Sequence, residues 1–218
     1  MKMQPIVIKD GWHGLWHRIG AKGNNPWELY LNLVTRYTER HRYYHAFSHL
    51  TQVLKEFDQI RHLCANSDAV EMALWYHDAV YFPGESDNEK ESAELAQRIL
   101  HQARLPDVFI GEVVRLILLT KEHNVTQEDG RDGAILSDID LSIFGQPLLV
   151  FDKYEQDIWK EYVRVGKMSD RTFKQGRQKF VEKFLERTYI YRTPYFRAKY
   201  EKAARANLKR SVVQLQSD

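Results

Sequence analysis

The stretch 72–81, Met72-Ala73-Leu74-Trp75-Tyr76-His77-Asp78-Ala79-Val80-Tyr81, sets a histidine and an aspartate side by side in an apolar run that otherwise reads as a core helix. Burying an imidazole beside a carboxylate is costly unless both are paired or share a cation. Upstream, Tyr43-Tyr44-His45-Ala46-Phe47-Ser48-His49 supplies further histidines. Downstream, Leu136-Ser137-Asp138-Ile139-Asp140-Leu141 supplies two aspartates among apolar residues. The order along the chain is His, His-Asp, Asp, a nitrogen and oxygen donor set without thiolate that suits a borderline divalent ion.

Helical periodicity surrounds these residues. Trp27 to Thr38 follows Asn24-Asn25-Pro26, where proline suits a first turn, and carries a broad apolar face. Phe47 to Leu63 repeats the pattern, with charges on its other face and His49 near its start. A third helix is predicted from Asp68, as cap, with Glu71 three positions on, through Tyr76, so that His77-Asp78 stand at its C-terminal end. Phe82-Pro83-Gly84-Glu85-Ser86-Asp87-Asn88 interrupts the pattern. Further helices read at Glu89 to Gln102, from Pro106 to His123, at Ile135 to Phe144, at Leu148 to Val165 and at Asp170 to Arg187. Asn124 to Gly133 reads as a polar surface loop, and a charged final helix, Tyr195 to Leu215, follows Pro194. The expectation is an all-α fold: a single domain over residues 1–218, with a helical core at about 27–187 and an additional C-terminal helix at about 195–215.

A chain of 218 residues can bury one substantial core. Hydrophobic residues at 43% and charged residues at 28% are ordinary for a globular chain and argue against long disorder. The 32 basic and 30 acidic residues leave a formal net charge of +2, which gives no electrostatic reason to propose nucleic acid as a partner. Cys64 is the only cysteine, which excludes an intramolecular disulfide or a Cys-rich zinc site and fits a reducing compartment. Met1 to Asp10 lacks the apolar centre of a signal peptide, and no stretch approaches the roughly 18 apolar residues of a membrane span. A cytoplasmic protein without a membrane partner is expected.

His41, His45 and His49 recur every four residues, so a continuous helix would set them on one stripe about 6 Å apart. Arg40, His41 and Arg42 read as solvated and His45 as orienting the backbone or a neighbouring ligand, which leaves His49 as the ligand. Neighbouring helical residues diverge by about 100°, so His77 and Asp78 share an ion only where the helix ends and the side chains lean together. Lys121 and His123 have two readings, a phosphate contact or proton donor on one hand and favourable charge at a helix C-terminus on the other. Glu89 is either a helix-start charge or a residue reaching the site, and Asp138 and Asp140 are either ligands or helix caps.

Read together, Arg42-Tyr43-Tyr44-His45-Ala46-Phe47-Ser48-His49, Trp75-Tyr76-His77-Asp78-Ala79-Val80-Tyr81, Asp87-Asn88-Glu89, Thr120-Lys121-Glu122-His123 and Ser137-Asp138-Ile139-Asp140-Leu141 resemble the HD superfamily of predicted metal-dependent phosphohydrolases. The likeness spans nearly the whole chain. It includes Ile190-Tyr191-Arg192-Thr193-Pro194-Tyr195-Phe196 and Ala204-Arg205-Ala206-Asn207-Leu208, which look like one bacterial branch. The resemblance implies an HD-domain-like helical bundle in which His49, His77, Asp78 and a late aspartate hold a divalent metal: Mn, Co, Ni, Fe, Zn or Mg. Asp140, followed by Leu141, matches the closing position best, with Asp138 as the fallback.

The implied activity is phosphate release from a small phosphate ester, a nucleotide or related metabolite, by metal-activated water. Asp78 would orient or deprotonate that water, and His123, Lys121 and Glu89 are the secondary catalytic candidates. Two alternatives stay open on the same scaffold. One is a non-catalytic metal-binding or ligand-sensing module, and the other is a di-iron oxidative enzyme drawing on His45 and His123 as extra ligands.

Overall fold

The computed structural model describes residues 5–216 and, among them, ten α-helices and no strand, the all-α fold expected from the periodicity. In chain order these are α1 (Pro5–Arg18), α2 (Pro26–Tyr37), α3 (Phe47–Ile60), α4 (Ser67–Tyr76), α5 (Asn88–Gln102), α6 (Asp107–Leu119), α7 (Gly130–Asp140), α8 (Leu148–Trp159), α9 (Asp170–Leu185) and α10 (Pro194–Gln216). Turns of 3-10 helix extend α3 at Arg61–Leu63 and α7 at Leu141–Gly145, and a π-helical segment, Lys160–Val165, continues α8. No single helix among the described residues is long and apolar enough to cross a membrane.

Helix α4 stands at the centre. Every residue from Ala69 to Tyr76 is buried, as a helix enclosed on all sides requires, and α1, α3, α5, α6 and α7 pack around it. The one acid in that run, Glu71, is neutralised by Arg18 at 2.6 Å and Arg61 at 3.1 Å. Asp68 also pairs with Arg18, so the capping box expected at Asp68 and Glu71 does not form. Asn66 is the cap instead, accepting from the Ala69 amide at 3.1 Å.

The helical core begins before residue 27. Trp12, Leu15 and Trp16 of α1 are buried, the Trp12 ring meets Trp75 edge-on at 4.9 Å, and its indole N–H donates to the Pro26 carbonyl at 2.7 Å. Helix α6 stops at Leu119 rather than at His123, and His123 takes a left-handed backbone with φ of 48°. Helix α7 starts five residues earlier than the apolar pattern indicated, because Asp132 is not a loop residue. Its buried carboxylate accepts from the amides of Ala65 at 2.8 Å and Asn66 at 2.7 Å and so fixes the chain entering α4.

The additional C-terminal helix is stapled to the body. Lys199 and the Tyr200 hydroxyl donate to buried Glu56 of α3 at 2.6 and 2.7 Å. Arg205 donates to the carbonyls of Leu185, Arg187 and Thr188 at 3.1, 2.7 and 2.9 Å, closing the end of α9. At Gly145 a Cβ would overlap Tyr200, so the bare backbone lets α10 cross the 3-10 turn after α7. Asp138 anchors the start of α10: its fully buried carboxylate accepts from the Arg192 amide, the Thr193 amide and the Thr193 hydroxyl, each at 2.7 Å.

Asp138→Ala leaves those two amides without an acceptor, and an unsatisfied buried donor costs on the order of 1–3 kcal/mol. The expected outcome is a stability loss of about 3 kcal/mol. Urea unfolding should show a lower midpoint at an unchanged slope.

Candidate metal centre

Three helix ends meet beside α4. Helix α3 begins at Phe47, because Ala46 is an extended N-cap with φ −109° and ψ −179°, so the stripe of His41, His45 and His49 is not formed. His49 lies buried in the first turn of α3, and Asp140 is the last residue of α7. At the end of α4 the Ala79 amide bonds to the Tyr76 carbonyl three residues back at 3.0 Å. This tighter turn lets the adjacent side chains lean together, with His77 Nε2 3.1 Å from Asp78 Oδ2.

Arg42 holds that turn in place, although its sequence setting read as solvated. Its side chain is fully buried and donates to the carbonyls of Asp78 at 2.6 Å, Ala79 at 3.2 Å and His45 at 3.0 Å. A guanidinium on the last carbonyls of a helix satisfies acceptors that have no helical donor and complements the negative end of the dipole. The same side chain thereby ties the residues before α3 to the end of α4.

Four donor groups then converge. His49 Nε2 lies 3.0 Å from His77 Nε2, 3.0 Å from Asp140 Oδ1 and 3.5 Å from Asp78 Oδ2, while His77 Nε2 lies 3.7 Å from Asp140 Oδ1. His49, His77 and Asp78 offer ligand atoms all within 4.8 Å of one another. Ligands about 2.1 Å from one ion stand about 3.0 Å apart at neighbouring octahedral positions and about 3.4 Å apart in a tetrahedron. The observed separations are of that size. His77 Nδ1 donates to the Leu74 carbonyl at 2.8 Å, which assigns the lone pair to Nε2, the atom facing the cluster. His49, His77, Asp78 and Asp140 are therefore the residues that could hold a divalent ion, and Asp138, committed to α10, is not among them.

The electrostatics of the bare cluster match a cation site. Burial alone would lower the His77 pKa, but Asp78 and Asp140 outweigh it and raise it to about 9. Burial would raise both carboxylates, but the imidazoles win. His77, then the hydrogen bond from His49, hold Asp140 at about 2, and His77 and His45 hold Asp78 below the usual carboxylate range. Two mostly buried anions thus retain a positive charge on a histidine whose hydrogen bond favours the neutral, ligating tautomer. A divalent ion held there would supply that charge and leave the imidazole neutral.

The cluster opens into a cavity of about 400 Å³ lined by His45, Asp78, Glu89, Lys121, His123 and Asp140 on its polar side. Lys121 donates to the Ser86 carbonyl at 2.7 Å, which holds the turn after Phe82 against the end of α6. His123 is not a cation at a helix end. It is buried, with Nε2 3.4 Å from Asp140 Oδ2 and Nδ1 3.2 Å from the Ser137 hydroxyl, and burial, with Arg187 adding to it against Asp140, lowers its pKa. Its left-handed backbone is the kind of conformation that clusters at functional sites. Glu89 lies in the first turn of α5, and burial raises its pKa.

Sequence reasoning missed Glu161, which organises the other wall. Fully buried in the π-helical segment, it accepts through Oε1 from the amides of Tyr43, Tyr44 and His45 at 2.6, 2.7 and 3.0 Å. Through Oε2 it meets His45 Nδ1 at 2.7 Å and the Tyr81 hydroxyl at 2.9 Å. His45, read as an orienting residue, is thus itself oriented, with its other nitrogen left for the cavity. Burial works to lower the His45 pKa, but Glu161 prevails and raises it. No local signal marks Glu161, which sits in an ordinary charged helical run. Compared with protein-family models, curated proteins and solved structures, the chain has no match among any of them.

His77 has a raised folded pKa, so its contribution to the metal-free protein is complete below an unfolded value of about 6.5. It is lost as pH rises through about 9. A cation competes with that proton, and its apparent affinity should fall about tenfold per pH unit below the His77 pKa. The melting-temperature rise produced by Mn²⁺ over EDTA should therefore be larger at pH 8.5 than at pH 6. Equal rises at the two pH values would contradict this account.

Proposed function

We propose that this chain is a metal-dependent phosphohydrolase acting on a small phosphate ester. The observation that carries the reading is the convergence of two imidazoles and two carboxylates at ligand-to-ligand spacing, with the carboxylates lining a cavity that also holds two more histidines and a lysine. The sequence resemblance to the HD hydrolases adds the reaction type, which the donor set alone leaves open.

A divalent ion held by His49, His77, Asp78 and Asp140 would supply Lewis acidity and a bound water of lowered pKa. The chain's own groups then divide the remaining tasks. Asp78 accepts the proton of a water near the cluster. His45, kept protonated at Nδ1 by Glu161, offers its other N–H to the leaving oxygen as that oxygen gains charge. Lys121 offsets negative charge on the phosphoryl oxygens, and neutral His123 positions Asp140 or accepts a hydrogen bond from substrate. Glu89, with its pKa raised by burial, is a second proton carrier at the rim.

His123 also favours a second reading. An additional buried imidazole 3.4 Å from a candidate ligand is what a two-metal or oxidative centre would require. Metal stoichiometry separates the readings: one ion per chain with phosphate release supports the hydrolase, whereas two irons with oxygen uptake support the oxidative enzyme. Bound metal with neither activity supports a ligand-sensing module.

The direct test is elemental analysis of protein purified without a chelating tag, followed by a phosphate-ester panel with Mn²⁺, Co²⁺, Ni²⁺ or Mg²⁺. His77→Ala and Asp78→Ala should each lose metal affinity by more than the roughly 10–100-fold typical of outer-shell changes, with helix content retained. Wild-type protein that takes up no metal would refute the reading. Glu161→Gln should lower the His45 pKa, because a charged partner that stabilises the imidazolium is gone. The alkaline limb of kcat/KM should then move down by about one pH unit. An unmoved limb would remove His45 from the acid role.

A further inference from the structure

The cavity has a second wall that the phosphate chemistry does not use. Phe173, Gly176, Arg177 and Phe180 stand at successive i, i+3, i+4 and i+7 positions of α9 and line it together. Tyr154 and Tyr162, from α8 and the π-helical segment, complete this aromatic side.

Three features of that wall ask for an occupant. Phe180 is 37% exposed and lines the cavity although its ring is held edge-on against Phe184 at 5.0 Å and Phe144 at 6.3 Å, so it is fixed in place yet partly open. The Arg177 guanidinium is buried and anchored on Glu155 at 2.6 Å and the Tyr154 hydroxyl at 2.7 Å, with its Cζ 4.9 Å from the centres of the Phe180 and Tyr154 rings. Gly176 lies inside α9, where glycine is unfavourable, and a Cβ there would meet nothing within 4 Å. Packing does not demand that glycine. Its effect is to leave the cavity wall open beside a flat cation and an aromatic ring.

Resting on the phosphohydrolase reading, we infer that the substrate is a phosphate ester whose alcohol portion carries a flat, largely apolar ring. The ring lies along the Gly176 gap and against Phe180, while the phosphoryl group faces His45, Lys121 and the candidate metal cluster. Rings bury large areas and gain further from offset or edge-to-face contact, so such an ester is preferred over an alkyl or sugar phosphate of equal charge. The cavity volume of about 400 Å³ lies within the range of small-molecule sites and holds one ring system with its phosphate, not an extended polymer.

The test measures binding of 1-naphthylphosphonate and of methylphosphonate to the Mn²⁺-loaded protein by calorimetry, since neither probe can be hydrolysed. The wild type should bind the naphthyl probe at least tenfold more tightly. Gly176→Leu, which fills the gap with a good helix former, and Phe180→Ala should each reduce the ratio of the two affinities to threefold or less. Equal affinities in the wild type, or a ratio unchanged in both variants, would overturn the ring site while leaving the phosphate site standing. Failure of both probes to bind would overturn the phosphate site and the ring site with it. Ring-dependent binding without any turnover of 1-naphthyl phosphate would uphold the ring site and refute hydrolysis alone.

Discussion

Two buried imidazoles and two mostly buried carboxylates sit within about one ligand spacing of one another, and the surrounding structure is arranged so that this costly cluster persists. Each group arrives from the end of a helix, where the backbone can bend to aim it, and buried polar side chains tie these segments to their neighbours. Arg42 takes the carbonyls after α4, Asp132 the amides before it, and Asp138 the amides before α10. These closures carry no chemistry themselves. They fix the angles at which α3, α4 and α7 meet, and hence the distances between donor atoms.

Glu161 plays the corresponding part for the proton-bearing side of the cavity. One carboxylate accepts three consecutive backbone amides and also contacts a histidine and a tyrosine, so the chain before α3 cannot move without breaking a charge-assisted network. Burial opposes its ionisation, but His45 and the amide donors outweigh that and keep its pKa below the ordinary glutamate value. The π-helical register matters here. An extra residue in the turn presents Glu161 to His45 and Tyr162 to the cavity from neighbouring positions, and π-bulges recur at functional sites for this reason.

The C-terminal helix completes the same design from outside. Its salt bridge to Glu56 fastens it to α3, which carries His49, and Arg205 closes the end of α9, which carries the aromatic wall. Ser211 reaches Glu155, the partner of Arg177. A helix that reads as highly charged therefore supports both sides of the cavity without lining it.

The sequence by itself determined the helical class and the approximate course of nine of the ten described helices, and it singled out His49, His77 and Asp78 among the residues that meet at the cluster. Those were legible because apolar spacing records which face of a helix is buried, and because His-Asp in an apolar run needs a partner. The first helix escaped although its buried Trp12, Leu15 and Trp16 stand at i, i+3 and i+4, because Gly11 and Gly14 inside it weaken the local helical signal. Only the tertiary structure separated Asp138 from Asp140. Both are acidic residues on one helix, and the difference is that one points at the amides of α10 and the other at His49. Arg42, Glu161 and Arg177 were equally invisible, because a charged side chain in a charged segment reads as solvated until a distant element supplies the acceptor or donor that allows it to be buried.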